Sequence, residues 1–183
     1  MRVFAIIAAV FWTGLCGAAP RELSGSEKDA VMEKISVYNA SAKTLQADFT
    51  QVKNSSMLSS PLTSRGQLSF AAPGKVRWEV LSPVQKVSVF DSSDRRFALF
   101  NFDFSQFISA VSDDGEKYEV RLSPTGRDMA KLFRALILTC LKSSGQVTGV
   151  ILVDTEGDTT QLQFSNSRRD CDIDPKIFEN ATR

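Results

Sequence analysis

Asp91 with Asp94 and Asp113 with Asp114 are examples of acid pairs in this chain whose spacing could serve a reaction. Two carboxylates flanking a glycosidic bond suffice for its hydrolysis. Each pair, however, sits in a string of turn chemistry, SSD at 92–94 and SDDGEK at 112–117, where Ser, Asp and Gly reverse the backbone in water. The chain has no histidine, which removes the usual general base, the commonest metal ligand and the centre of a Ser-His-Asp arrangement. Gly145 and Gly149 stand among strand signals, without the GK[ST] ending of a phosphate-cradling loop. Cys140 and Cys171 lack the paired spacing of a zinc site. In an exported protein such a pair suggests a disulfide, which would stabilise the fold by about 3 to 4 kcal/mol. This inventory argues against an enzyme and calls for no metal and no cofactor.

The elements that position these residues begin with an address. MRVFAIIAAVFWTGLCGAAP has Arg2 as its basic end, an apolar run from Val3 to Trp12 and then small residues, the layout of a secretory signal. The run is shorter than the roughly 20 apolar residues that span a bilayer, so residues 1–18 read as a cleaved signal peptide. Cleavage after Ala18 keeps Pro20 out of the first position of the new chain. Cys16 invites a lipoprotein reading, but Leu15 stands where a lipobox wants a small residue. Residues 19–183 then form one domain, with 21 basic and 21 acidic residues. That balance gives no footing for a nucleic-acid partner, which draws on clustered Lys and Arg.

After a polar linker at 21–25, Ser26 before Glu27 predicts a helix start, and Val31, Ile35, Tyr38 and Ala42 recur at helical spacing. The period then changes to two. Leu45, Ala47 and Phe49 alternate with polar residues, as do Leu68 and Phe70 and, further on, Val76, Trp78 and Val80. These are half-buried antiparallel strands, with a fourth at 84–90 and a fifth opening the stretch FALFNFDFSQF at 97–107. YEVRLSP at 118–124 is another strand, TGRDMAK a short helical turn, and residues 132–166 a three-stranded meander.

The fold class is therefore mainly β (α+β). Strands with one apolar face and too few helices must curl on themselves, leaving a concave apolar cavity roofed by helix. Phe100, Phe102 and Phe104 follow period two, whereas Phe104, Phe107, Ile108 and Val111 follow helical spacing. One face is expected to pass from a strand into a short helix at 104–111, a movable cover whose rings fill the cavity when it is empty.

QADFTQV at 46–52, RGQLSFAAPGKVRWEV at 65–80 and GDTTQLQFSN at 157–166, in this order after a signal peptide and one helix, resemble the LolA family of outer-membrane lipoprotein carrier proteins, most of all its version in Bacteroides-like bacteria. The resemblance implies an unclosed antiparallel β-barrel with a helical lid over an apolar cavity, in the periplasm. It implies a monomeric carrier that takes an acylated lipoprotein from an inner-membrane ABC-type release complex, holds its acyl chains, and passes it to an outer-membrane acceptor. A variant cargo is another acylated lipid or glycolipid tied to a biosynthetic pathway. A different class of function is a lipoprotein sensor or interaction module.

Phe49, Thr50 and Gln51 match the family's FTQ, and Gly66, Pro73 and Trp78 its glycine, turn proline and tryptophan. On this reading Phe49, Leu68 and Phe70, then Val76, Trp78 and Val80, and finally Leu138, Leu162 and Phe164 wall the lipid cavity. The lid takes Ile35 and Tyr38 from the helix, and Phe100, Phe102, Phe104, Phe107 and Ile108 from the phenylalanine stretch. Ala72 stands where the best-studied branch has a lid-fastening Arg before the turn proline, so the latch here is a different one. The region before SDDGEK is also short, so the family's lid is reduced.

Overall fold

The structure is a computed structural model that describes residues 19–92 and 104–179. The proposed signal peptide, the fifth strand expected to open the phenylalanine stretch, and Phe100 and Phe102 lie outside the described residues.

The chain runs β1 (Arg21–Leu23), α1 (Gly25–Ala40), β2 (Thr44–Asn54), β3 (Leu62–Ala71), β4 (Lys75–Ser82), β5 (Lys86–Asp91), β6 (Phe107–Asp113), β7 (Lys117–Pro124), α2 (Arg127–Ala130), β8 (Ala135–Leu141), β9 (Val147–Val153) and β10 (Thr159–Arg169). All ten strands join one antiparallel sheet, ordered β1-β6-β7-β8-β9-β10-β2-β3-β4-β5. Among the described residues β1 and β5 are its two edges, so the barrel is unclosed. Hairpins make nearly every pairing. The exception in the middle is β10 against β2, which sets Phe164 opposite Phe49 and joins the two halves of the sheet.

Three sequence expectations need correction. Residues 21–23 are a strand, not a linker: Leu23 is buried opposite Val111, and pairing with β6 satisfies a backbone that would otherwise be a bare sheet edge. The helix starts at Gly25, with Ser24 rather than Ser26 at its N-cap and no side-chain capping bond. Glu27 is drawn instead to Arg21, 2.9 Å away. The third correction concerns residues 104–111, which are not a helix. Phe104–Gln106 is a single 3-10 turn and Phe107 opens β6, in register from Phe107–Pro124 to Asp113–Tyr118.

Two apolar clusters form on the concave face. In the first, Val31 and Ile35 of α1 pack on Leu23, Val111, Val120, Leu122, Leu136 and Leu138. In the second, Phe49, Leu68, Val76 and Phe90 are sealed by Phe70, Trp78, Val80, Leu162 and Phe164, with no helix among them. The second cluster is organised by a missing side chain. Gly66 pairs with Phe49 on one side and Val80 on the other, and its bare Cα lets the Phe49 ring cross β3 to stack on Trp78, with ring centroids 4.0 Å apart and planes 24° apart. A Cβ on Gly66 would collide with the Glu79 carbonyl oxygen and stand 2.6 Å from Phe49 Cζ.

The expected disulfide is absent, and both Cys140 and Cys171 are free thiols. Cys140 lies on β8 and Cys171 just beyond β10, two strands over. At about 4.8 Å per strand the sideways offset alone is roughly 9 to 10 Å, already beyond the reach of a disulfide. Cys140 is fully buried, and that burial pushes its thiol up to about 12. Native protein at pH 8 should therefore alkylate at Cys171 well before Cys140, whose thiolate is about one part in ten thousand. Both should react in denaturant without reductant; an intact mass two hydrogens short would refute this. Gly66→Ala should cost about 2 to 3 kcal/mol through overpacking and lower the melting temperature by roughly 5 to 10 °C, read by calorimetry. An unchanged melt would mean the ring stack does not depend on that gap.

Candidate functional site

Between the two clusters lies a cavity of about 330 Å³. Its wall is built by alternation: Leu45 and Ala47 of β2, Leu136 and Leu138 of β8, Val150 and Leu152 of β9, and Leu162 and Phe164 of β10 point to the same side because each pair is two residues apart. Leu68 and Trp78 close the far side and Phe90 the edge. Tyr38, Asn39 and Ala42, at and just past the C-terminal end of α1, form the roof. No carboxylate lines the cavity among the described residues, and Arg169 is its one charged group there. An interior this apolar stabilises aliphatic surface.

The roof is fastened at both sides by polar contacts. α1 has no basic residue in its last turn, so the negative end of its dipole is met from another strand. Arg169, the last residue of β10, donates to the Tyr38 carbonyl oxygen at 2.5 Å and to Ser41 Oγ at 2.7 Å, with its guanidinium 4.4 Å from the centre of the Tyr38 ring. Asp170 holds Arg169 Nε at 3.1 Å; the Lys43 backbone N–H, and then Arg169, keep its carboxyl below the usual carboxylate range. On the opposite side Asn39 donates to the Gly145 carbonyl oxygen at 2.9 Å, and the Lys34 ammonium reaches the Lys142 carbonyl oxygen. Gly145 sits at φ +83°, in a turn so close to α1 that a Cβ would stand 3.0 Å from the Lys34 carbonyl oxygen.

Of the expected wall residues, Leu68, Trp78, Leu138, Leu162 and Phe164 line this cavity, while Phe49, Phe70, Val76 and Val80 pack in the second cluster behind it. Of the expected lid residues, Tyr38 roofs the cavity, and Ile35 is sealed in the first cluster. Phe104 and Phe107 do not enter the cavity either: they pack against the first cluster, with Phe107 6.3 Å from the Phe133 ring. Ile108 points to solvent. These two rings are thus not among the residues that line the cavity, because pairing with β7 turns Phe107 toward Phe133. Val150 and Leu152 were missed although VTGVILV carries their alternation, and nothing local marks Arg169, whose partner Tyr38 is 131 positions away.

The Asp113–Asp114 pair is accounted for by its turn. Asp113 accepts from Lys142 at 2.7 Å and from the Gly115 N–H, and Lys142 above all holds its carboxyl low. Asp114 accepts from the N–H groups of Lys117 and Glu116, which hold it low as well. A general acid needs the opposite shift. Asp94 lies outside the described residues, and no group of three or more metal-ligating side chains occurs among those described.

A family model described as Outer membrane lipoprotein carrier protein LolA matches residues 40–115, from the end of α1 through the β6–β7 turn. An outer-membrane lipoprotein carrier protein of Methylococcus capsulatus is 26% identical over 167 residues, covering 76% of this chain and 77% of that one. Among solved structures, MucB superposes with a TM-score of 0.50 at 13% identity, over 87% of this chain and 64% of MucB. The chain thus spans less than two thirds of MucB's length. An uncharacterized conserved protein of Thermus thermophilus also superposes at 0.50, with 10% identity, over 86% of this chain and 96% of that one. These two likenesses speak to fold alone. By the family match and the curated relative together, this chain is similar to the LolA family of outer membrane lipoprotein carrier proteins.

Proposed function

We propose that the protein is a periplasmic carrier that binds acyl chains of lipoproteins in the cavity beneath α1 and shuttles them from the inner to the outer membrane without chemical change. The observation that carries this reading is a cavity with aliphatic and aromatic walls, no lining carboxylate among the described residues, and a roof held by hydrogen bonds. The name of the Methylococcus capsulatus relative points the same way. An ABC-type release complex would be the donor and an outer-membrane protein the acceptor. Residues 1–18 would supply the export address.

Burying a methylene gains about 0.8 kcal/mol, so a 16-carbon chain gains roughly 10 kcal/mol gross. A carrier keeping all of that would not release its load. At about 330 Å³ the cavity lies at the small end of the roughly 300 to 1,000 Å³ range of small-molecule sites. Loading more than one acyl chain therefore requires the roof to lift, and the contacts broken in lifting it lower the net affinity.

Trp78 lines the cavity, and the other tryptophan, Trp12, lies within residues 1–18. Titrating processed protein with a fluorescent fatty acid or a lipopeptide should therefore change Trp78 emission. Leu162→Asp, which puts a charge in the wall, should weaken binding by about a hundredfold, on the order of 3 kcal/mol. No saturable binding by the wild type, or equal binding by the variant, would reject the carrier reading. Arg169→Ala should leave the wall intact but free the end of α1. Acyl-probe association should then accelerate and cleavage near residues 38–43 by a nonspecific protease should increase; unchanged rates in both assays would show that the arginine does not restrain the roof.

A further inference from the structure

Eight large apolar side chains are exposed among the described residues, and seven of them sit at one end of the sheet. The register fixes this placement: Ile108 is level with Ser123, Ala135 with Val153, Thr159 with both Val153 and Asn54, and Lys53 with Leu62. The β4–β5 connection lies at the same end, since Arg65 of β3 pairs with Ser82 and Val80 with Lys86. Two adjacent connections hold most of the exposed surface. Met57, 87% exposed, and Leu58 lie between β2 and β3, and Leu81 and Val84, the latter 73% exposed, lie at the end of β4 and before β5. The remaining one, Val37, is on α1.

The charge around them has one sign. Residues 53–65 and 81–86 contain Lys53, Arg65 and Lys86 and no Asp or Glu, and all three bases are exposed. The acids of the described rim lie in other connections: Asp154, Glu156 and Asp158 in the neighbouring β9–β10 turn, where the Asp154 carboxylate accepts three backbone N–H groups and Asp158 accepts from the Ser56 N–H, and Asp128 in α2, paired with Lys131 at 3.0 Å. Apolar loop tips flanked by bases are the composition that seats a protein at an anionic lipid–water interface, where the apolar side chains enter the acyl boundary and the bases meet phosphates.

We propose that the β2–β3 and β4–β5 connections dock this protein reversibly on an anionic lipid bilayer. The proposal does not rest on the carrier reading, because the tips lie on the rim and the acyl cavity is walled by other residues. It would nonetheless bring the cavity end lined by Leu136, Leu152 and Thr160 toward the lipid surface.

The test is flotation of the whole protein with vesicles of phosphatidylethanolamine and phosphatidylglycerol at 3:1, against vesicles of phosphatidylcholine. The N-terminal stretch is the same in every variant, so any affinity of its own cancels. Wild type should float with the anionic vesicles, and 0.5 M salt should release most of it. Met57→Asp with Val84→Asp should lower bound protein by about tenfold, and Lys53→Glu or Lys86→Glu by roughly fivefold each. Circular dichroism and acyl-probe binding should not change, which separates this result from a failure of the cavity. Equal flotation of wild type and the tip variants would overturn the proposal, as would equal binding to phosphatidylcholine. Failure of the wild type to float would also overturn it and leave these tips to a protein partner.

Discussion

Among the described residues one long helix must serve the concave face of a ten-stranded sheet and cannot cover it, and the rest of the structure follows from that shortage. α1 is 16 residues long, about 24 Å, and its apolar stripe is used up on the half of the sheet from β6 to β8. The other half, from β10 through β2 to β5, must bury its inward side chains against one another. Two clusters result where a fully roofed sheet would have one, and the strip between them holds the cavity. The same shortage explains why Phe70, Trp78, Leu162 and Phe164 are only half buried although they belong to a core.

A cluster without a helix needs another source of rigidity, and the Phe49, Gly66 and Trp78 arrangement supplies it. Removing a side chain from the middle strand lets aromatic rings from β2 and β4 meet across it, an aromatic cover for a glycine in a strand. The sheet is stiff there through its own side chains, with no described helix in the cluster. β10 is bound to the same strands through the pairing of Phe164 with Phe49. The wall opposite α1 therefore keeps its shape whether or not the roof is in place.

What the sequence disclosed tracks how local the cause was. Alternation marks β2, β3 and β4 because each buries one face and wets the other, and the meander β8–β10 is legible from its apolar runs and turns. β6 was misread because its inward positions are Phe107, Ser109 and Val111: the serine breaks the period-two signal, and Ile108 beside Phe107 imitates helical spacing. β1 has three residues and is held by edge pairing, which leaves no periodic trace. The disulfide failed because only the strand order reveals that β9 lies between the strands that carry the cysteines. Within the site, the wall residues on alternating strands were accessible, whereas the Arg169 contact was not.

The roof's fastening differs in kind from its anchorage. Val31 and Ile35, in the middle of α1, are sealed in the first cluster, and withdrawing them would cost several kcal/mol. The C-terminal turn instead meets its neighbours through Arg169 and Asn39, donating to or accepting from groups that water serves nearly as well. The net cost of opening such a hydrogen bond is about 1 kcal/mol, somewhat more where a charge takes part. The end of the helix over the cavity is therefore the part that yields first, pivoting about Ile35 while the core beneath stays closed. On the carrier reading this sets affinity through the difference between acyl burial and the opening of a few polar contacts. A cargo can then be bound firmly and still be surrendered to an acceptor that offers its acyl chains an equal or better burial.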